Sequence, residues 1–218
     1  MSAAGRQAAR SGTQLGVAAA LVRSQALAGA GTALYRNQLG QDDLTLPTDS
    51  VAGLHDFDFL FGRWRVHNQR LRQRLAGCQD WQPFDAIIDC RPILGGAGNI
   101  DEFVTDEFGP GVFIGASLRL YEAATQRWRI YWASNRSGVL DPAVVGCFTD
   151  GIGRFEGDDR HEGVPVRVRF TWNVDGPDRA SWEQAFSADA GNSWETNWRM
   201  QLTRLAAHRP AIDGATSC

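Results

Sequence analysis

From Pro165 to Val174 the chain alternates apolar and polar side chains with a period of two. Val166, Val168, Phe170 and Trp172 are interleaved with Arg167, Arg169, Thr171 and Asn173. That period puts the two sets on opposite faces of an extended strand, one buried and one wet. Trp182, Gln184 and Phe186 repeat the rhythm against Ser181, Glu183 and Ala185. No helical stripe has this spacing, so the pattern commits this part of the chain to sheet.

Segments of the same character run from Trp64 to Leu75, Phe84 to Arg91, Ile100 to Glu107, Val112 to Tyr121 and Trp128 to Ser134. They continue from Val144 to Thr149, Gly153 to Asp158, Pro165 to Val174, Arg179 to Ser187 and Trp194 to Thr203. Short links rich in turn formers join them, including Glu122 to Arg127, Asp150 to Ile152, Asp175 to Asp178 and Ala188 to Ser193. Links this short make sequential strands pair antiparallel in a meander. A meander of about ten strands exposes two edges unless it closes on itself, which is how such sheets remove them. The expected fold is therefore all-β, a roughly ten-stranded antiparallel up-and-down barrel. A barrel of about eight to ten strands has a lumen able to hold one small ligand.

Composition changes at Gly40. Residues 1–40 are Ala-rich and carry a loose apolar stripe of Val17, Leu21, Leu27, Leu34 and Tyr35, interrupted by Gly16, Gly29 and Gly31, which predicts an N-terminal helical extension. A competing reading is an export signal, with Arg6 and Arg10 before the apolar run Leu15 to Val22 and a cleavage-like Ala26-Leu27-Ala28; Arg23 interrupts that pattern. Residues 41–53 read as a polar linker, 54–205 as the barrel and 206–218 as a flexible tail. No run approaches the roughly 20 apolar residues of a membrane span.

A formal net charge of −3, from 22 Lys+Arg and 25 Asp+Glu, lacks the cationic surplus that nucleic-acid binding requires. Cys78, Cys90, Cys147 and Cys218 show no metal-binding spacing and are expected to be reduced thiols, with a cytoplasmic location as the default. The scattered histidines His55, His67, His161 and His208 have no metal spacing either.

The run His55-Asp56-Phe57-Asp58-Phe59-Leu60-Phe61-Gly62-Arg63-Trp64, followed by Leu94-Gly95-Gly96-Ala97-Gly98-Asn99, Tyr131-Trp132-Ala133-Ser134, Trp182-Glu183-Gln184-Ala185-Phe186-Ser187 and Trp194-Glu195-Thr196-Asn197-Trp198, resembles an uncharacterised family of bacterial lipocalin-like proteins. The resemblance spans roughly residues 54 to 205 and implies a calycin barrel without implying a reaction. The Phe-Leu-Phe-Gly-x-Trp run is also similar to the first strand of fatty-acid-binding and nitrobindin-type barrels, which implies that Trp64 closes the barrel floor. Nitrobindin-like barrels hold heme through a histidine near the carboxyl terminus, where this chain has His208. The Gly-rich opening motif of that family is missing, so no cofactor is expected.

The candidate ligand-binding residues are Trp64, Arg119, Trp132, Asn135, Phe170, Trp172, Gln184 and Trp198. Trp132 shares its face with Trp128 and Ile130, and opposes Tyr131. Gln184, between Trp182 and Phe186, puts an amide on an apolar face, where it can donate to and accept from a ligand carbonyl or hydroxyl. Arg119 shares a face with Phe113 and Tyr121 and is either a carboxylate anchor or a solvent-facing arginine. Asn135 lies in Ser134-Asn135-Arg136-Ser137-Gly138, a candidate mouth loop. For Trp198 the phase stays open: it shares a face with Thr196 and Met200, opposite Asn197 and Arg199.

Two weak candidates could supply acid–base chemistry. His67 lies in the first strand and points either into the lumen or, with Arg63, Arg65, Gln69 and Gln73, to solvent. Glu102 alternates with Ile100 and Val104, while Asp101, Phe103 and Thr105 form the competing inward phase. No nucleophile elbow or Walker loop is present. The leading expectation is binding of a small, largely apolar ligand in the barrel. An isomerase, cyclase or lyase using the same cavity is the alternative, and a homodimeric interaction module built on the Ala-rich helix is a third.

Overall fold

The computed structural model describes residues 52–206. The expected helix, most of the linker and the tail with His208 lie outside them. Ten strands close into one antiparallel barrel: β1 (Gly62–Leu71), β2 (Trp81–Ile93), β3 (Gly98–Thr105), β4 (Phe113–Glu122), β5 (Arg127–Ser134), β6 (Val144–Thr149), β7 (Ile152–His161), β8 (Val164–Val174), β9 (Arg179–Ser187) and β10 (Glu195–Arg204). Each strand pairs with its sequence neighbours, and β1 pairs with β10 to close the ring from Trp64↔Arg204 to Arg70↔Trp198. This is the up-and-down barrel that the alternation and short links dictate.

Three strands differ most from the sequence expectation. β1 stops at Leu71 because Arg72 to Asp80 leaves the sheet, its backbone amide at Arg72 donating to Asp80 O at 3.1 Å. β2 and β7 are longer than expected, since Pro83 and Pro92 lie within the ladder of β2 and β7 stays paired with β8 as far as His161↔Val164.

Inward residues alternate along each strand. In β1 they are Trp64, Val66, Asn68 and Arg70, with Arg65, His67 and Gln69 outside. β10 breaks the alternation: a register shift between Thr196 and Trp198 lets both Asn197 and Trp198 turn inward. Such a bulge adds one unpaired residue and re-aims its neighbours.

One barrel end is sealed by residues 52–61. A 3-10 turn, Asp58–Leu60, presses Phe57 and Leu60 into the barrel, both fully buried. The Phe57 ring packs edge-on against Trp128 and Phe148 at 5.1 and 5.0 Å. Backbone carbonyls of this segment are taken up by side chains from the wall: Trp128 Nε1 donates to Gly53 O at 2.9 Å, Trp64 Nε1 to Leu60 O at 2.8 Å, and Tyr121 Oη to Ala52 O. The guanidinium of Arg204 donates to Phe59 O and Phe61 O, each at 2.6 Å, while lying 4.1 Å over the Trp64 ring. The plug is thus fastened by hydrogen bonds as well as by apolar contact.

The β5–β6 seam is the weakest. Only Trp128↔Gly146, Arg129↔Val145 and Ile130↔Val144 pair there, and beyond them a single bond from Asp141 N to Trp132 O, 2.7 Å, ties the β5–β6 loop back. Gly146 makes the close approach of β6 to β7 possible, because a Cβ on it would stand 1.8 Å from Arg154 O. Among the described residues no helix is long and apolar enough to cross a membrane.

Candidate functional site: the barrel lumen

Above the floor plug the barrel encloses a cavity of about 380 Å³, within the range that holds small-molecule ligands. Its wall is aromatic: Phe103, Trp132, Phe170, Trp172, Trp182 and Trp198 all line it. The rings pack on one another, with Phe170 and Trp182 at 4.9 Å, Trp182 and Trp198 at 5.8 Å, and Phe103 and Trp132 at 6.1 Å. Edge-to-face packing of this kind holds the wall in shape without a ligand.

Polar groups interrupt the wall at two depths. Near the floor, Arg119 of β4 and Asp101 of β3 form an ion pair, Nη1 to Oδ2 at 2.5 Å, with side chains 4% and 1% exposed. Arg119 Nη1 also donates to Asn99 Oδ1 at 3.0 Å, and the guanidinium lies over Phe57 and Trp172 at 5.3 and 5.7 Å. The thiol of Cys90 approaches Asn99 Oδ1 at 3.7 Å; burial pushes it up to about 12. Higher in the lumen, Gln184 Nε2 donates to Asn197 Oδ1 at 2.8 Å, and Trp198 Nε1 donates to Asn68 Oδ1 at 3.0 Å.

Each cluster leaves buried atoms without a partner among the described residues: Asp101 Oδ1, Arg119 Nε, Asn99 Nδ2, Trp172 Nε1 and Asn197 Nδ2. Buried polar groups are ordinarily hydrogen-bonded, and of these residues Asp101, Arg119 and Trp172 line the cavity, so their orphaned atoms mark places where a donor or acceptor is available there.

At the open end, Arg70 and Arg74 line one side and Asp141 and Asp159 the other. Burial lowers Arg70 to about 10; burial, then the neighbouring Arg70 charge, lowers Arg74 to about 9. Burial and the charge of Asp159 raise the Asp141 carboxyl.

Six of the candidates read from sequence line the cavity together: Arg119, Trp132, Phe170, Trp172, Gln184 and Trp198. Trp64 lies below it, in the fully buried floor. Asn135 is exposed and fastens β4 instead, accepting from Ile114 N at 3.2 Å and donating to Val112 O at 3.1 Å. His67 sits on the outer wall with its Nδ1 2.9 Å from Asp85 Oδ1, and Glu102 is likewise exposed. The inward phase of β3 is the competing one, which carries Asp101 and Phe103. For Arg119 the buried reading holds over the solvent-facing one, because β4 alternates with Phe113, Ser117 and Arg119 inside. Residues not singled out from sequence are Asn99, Ser117, Asn197, Arg70, Arg74 and Asp141. The parity of His67 and Gln69 already implied an inward Arg70, but nothing local announces the bulge that turns Asn197 in.

Among the described residues no group of His, Cys, Asp and Glu is placed to hold a metal ion. No protein-family model matches the chain, and no curated protein matches its sequence. Among solved structures the chain is similar to an S-type phycobiliprotein lyase, CPES, from Guillardia theta, at 12% identity and a TM-score of 0.49, over 69% of this chain and 91% of that one. A likeness of that degree leaves the chemistry of the lumen to be read from this chain's own residues.

Proposed function

We propose that the protein binds one small, largely apolar molecule in the lumen of its barrel, with the polar atoms of that molecule meeting the Asp101–Arg119 and Gln184–Asn197 clusters. One observation carries this reading: a preformed aromatic cavity of about 380 Å³ into which buried donors and acceptors face without protein partners. Rings supply area for an apolar body. Trp172 Nε1 and Arg119 Nε are donors and Asp101 Oδ1 is an acceptor, a set that suits neighbouring carbonyl and hydroxyl or amide groups.

His67 and Glu102, the acid–base candidates read from sequence, are both on the outer wall, so any turnover would fall to carboxylates that line the lumen, such as Asp101 and Asp141. Acid–base catalysis requires such groups within hydrogen-bond reach of the substrate.

The test is native mass spectrometry of the full chain purified from its own host without denaturant, alongside a Ser117→Phe variant. Ser117 lines the lumen, so the added ring takes ligand space. A defined non-covalent mass on the wild type that is lost from the folded variant is the expected result. An adduct equally abundant on both would put binding outside the lumen. A wild type that carries nothing and takes up no apolar fluorescent probe would refute the reading.

A further inference from the structure

The lumen mouth holds two arginines whose charge the barrel does not neutralise. Arg70, the last inward residue of β1, lies 4.6 Å over Phe108 and 5.3 Å over Trp198. Arg74, from the β1–β2 loop, lies 5.5 Å over Phe186. Both line the cavity. Neither has a carboxylate within 4.0 Å among the described residues, whereas seven other arginines, including Arg119, Arg129, Arg167 and Arg199, have one. Arg74 Nη2 is buried and has no hydrogen-bond partner among them.

Both arginines are half-buried, and the charge of Arg70 bears on Arg74, so two like charges share the mouth without a counter-ion in contact. Aromatic faces offset part of this through cation–π contact but supply no hydrogen-bond acceptor. The carboxylates nearest in effect do not neutralise the pair. Glu162 and Glu195 act on Arg74 only through space, and Glu195 Oε1 accepts instead from Leu75 N at 2.6 Å. Asp141 and Asp159 line the cavity beside β6 and β7, across the ring from β1 in barrel order. Asp159 Oδ1 accepts from Arg160 N at 2.7 Å.

We propose that Arg70 and Arg74 form an anion subsite at the lumen mouth, so that the ligand is an amphipathic organic anion. Its apolar body occupies the aromatic lumen and its carboxylate, sulfonate or phosphate sits between the two guanidiniums. Planar guanidinium forks match such oxyanions bidentately. The subsite selects for charge, while the aromatic wall tolerates many shapes. This inference rests on the lumen being a binding site.

A matched pair of probes tests it on the full-length protein. 1-Anilinonaphthalene-8-sulfonate and N-phenyl-1-naphthylamine share one fluorophore and differ in the sulfonate. Fluorescence titration of the wild type and of an Arg70→Met/Arg74→Met variant gives the ratio of the two affinities in each. Met keeps apolar contact with Phe108, Trp198 and Phe186. The ratio is expected to fall at least about tenfold in the double variant, the scale of one charge-assisted hydrogen bond, with the neutral probe binding within about twofold of wild type. In the wild type, 1 M salt should weaken the sulfonate probe alone, a readout that does not depend on the variant folding. Binding of the neutral probe with an unchanged ratio and no salt effect overturns the anion subsite and leaves the lumen reading standing. Failure of the wild type to bind either probe overturns both.

Discussion

The Asp101–Arg119 pair is nearly dry, so removing one partner should cost far more than removing both. In Asp101→Leu the guanidinium stays 4% exposed and loses its anion. It keeps the hydrogen bond to Asn99 Oδ1 at 3.0 Å and its places over Phe57 and Trp172. Breaking a buried pair in this way costs about 3–5 kcal/mol, and the surviving contacts put the expectation near the lower figure. In a barrel of this size that corresponds to a fall in Tm of roughly 6–12 °C. The double change Asp101→Leu/Arg119→Met removes both charges at similar volume and should return to within about 1 kcal/mol of wild type, or exceed it. Urea unfolding followed by tryptophan fluorescence measures wild type, the single variants Asp101→Leu and Arg119→Met, and the double variant, with an unchanged slope taken as the sign that stability alone has moved. The reasoning fails if Asp101→Leu lies within about 1 kcal/mol of wild type. It also fails if the double variant loses the sum of the two single losses, since that would mean the charges are stabilised independently of each other.

Gly115→Ala should destabilise the barrel by about 1–3 kcal/mol and change neutral-probe affinity, because its Cβ would stand 2.1 Å from the Trp132 ring and displace an indole that lines the lumen; unchanged melting and binding would contradict this. Cys90, held near 12 by burial, should resist iodoacetamide at pH 8 in the folded protein while Cys147, which is exposed, is alkylated; peptide mapping that finds equal labelling would show that the β2 interior opens readily. Asp189 accepts hydrogen bonds from Ser193 Oγ at 2.6 Å, Ser193 N at 2.9 Å and Ser187 Oγ at 2.7 Å, which together pull its carboxyl down to about 2 from 3.8. A depressed acid contributes stability that is full above its unfolded value and lost as pH falls through the folded one, so the β9–β10 turn should hold at pH 4 and loosen near 2. A carboxyl NMR titration placing Asp189 near 3.8 would refute that.

The barrel was legible because its strands are two-faced and its links short. Val166 to Trp172 could satisfy no other period, and the turn at Asp175 to Asp178 left β9 no choice but to return beside β8. Phase was harder wherever both faces carry apolar residues. In β3, Ile100 and Val104 compete with Phe103, and the burial of Asp101 follows from its pairing with Ser117 of β4 and Cys90 of β2 rather than from anything local. In β10, strict alternation permits either Asn197 or Trp198 inside, and only the bulge admits both. Asn135 is ambiguous for a related reason. A loop asparagine in a polar run suits a ligand or a backbone equally well, and here β4 supplies the backbone.

The division of labour in the lumen follows from how each polar side chain is held. Gln184 is oriented by Asn197, Trp198 by Asn68, and Arg119 by Asn99 and Asp101, so each spends one polar atom on the wall. The atoms left over, Asn197 Nδ2, Arg119 Nε and Asp101 Oδ1, are therefore fixed in direction before any ligand arrives, which lowers the ordering cost of binding. Rings can be shared by many apolar bodies, and a missing methylene changes affinity by only about 1–3 kcal/mol. A ligand that leaves these fixed atoms unmet keeps their desolvation penalty, which is about 1–3 kcal/mol for each neutral group and more for charged ones. Discrimination should thus reside in Asp101 and Arg119, which line the cavity, and substitutions there should narrow or redirect what binds, whereas changes among Phe170, Trp182 and Trp198 should scale affinity for all apolar probes alike.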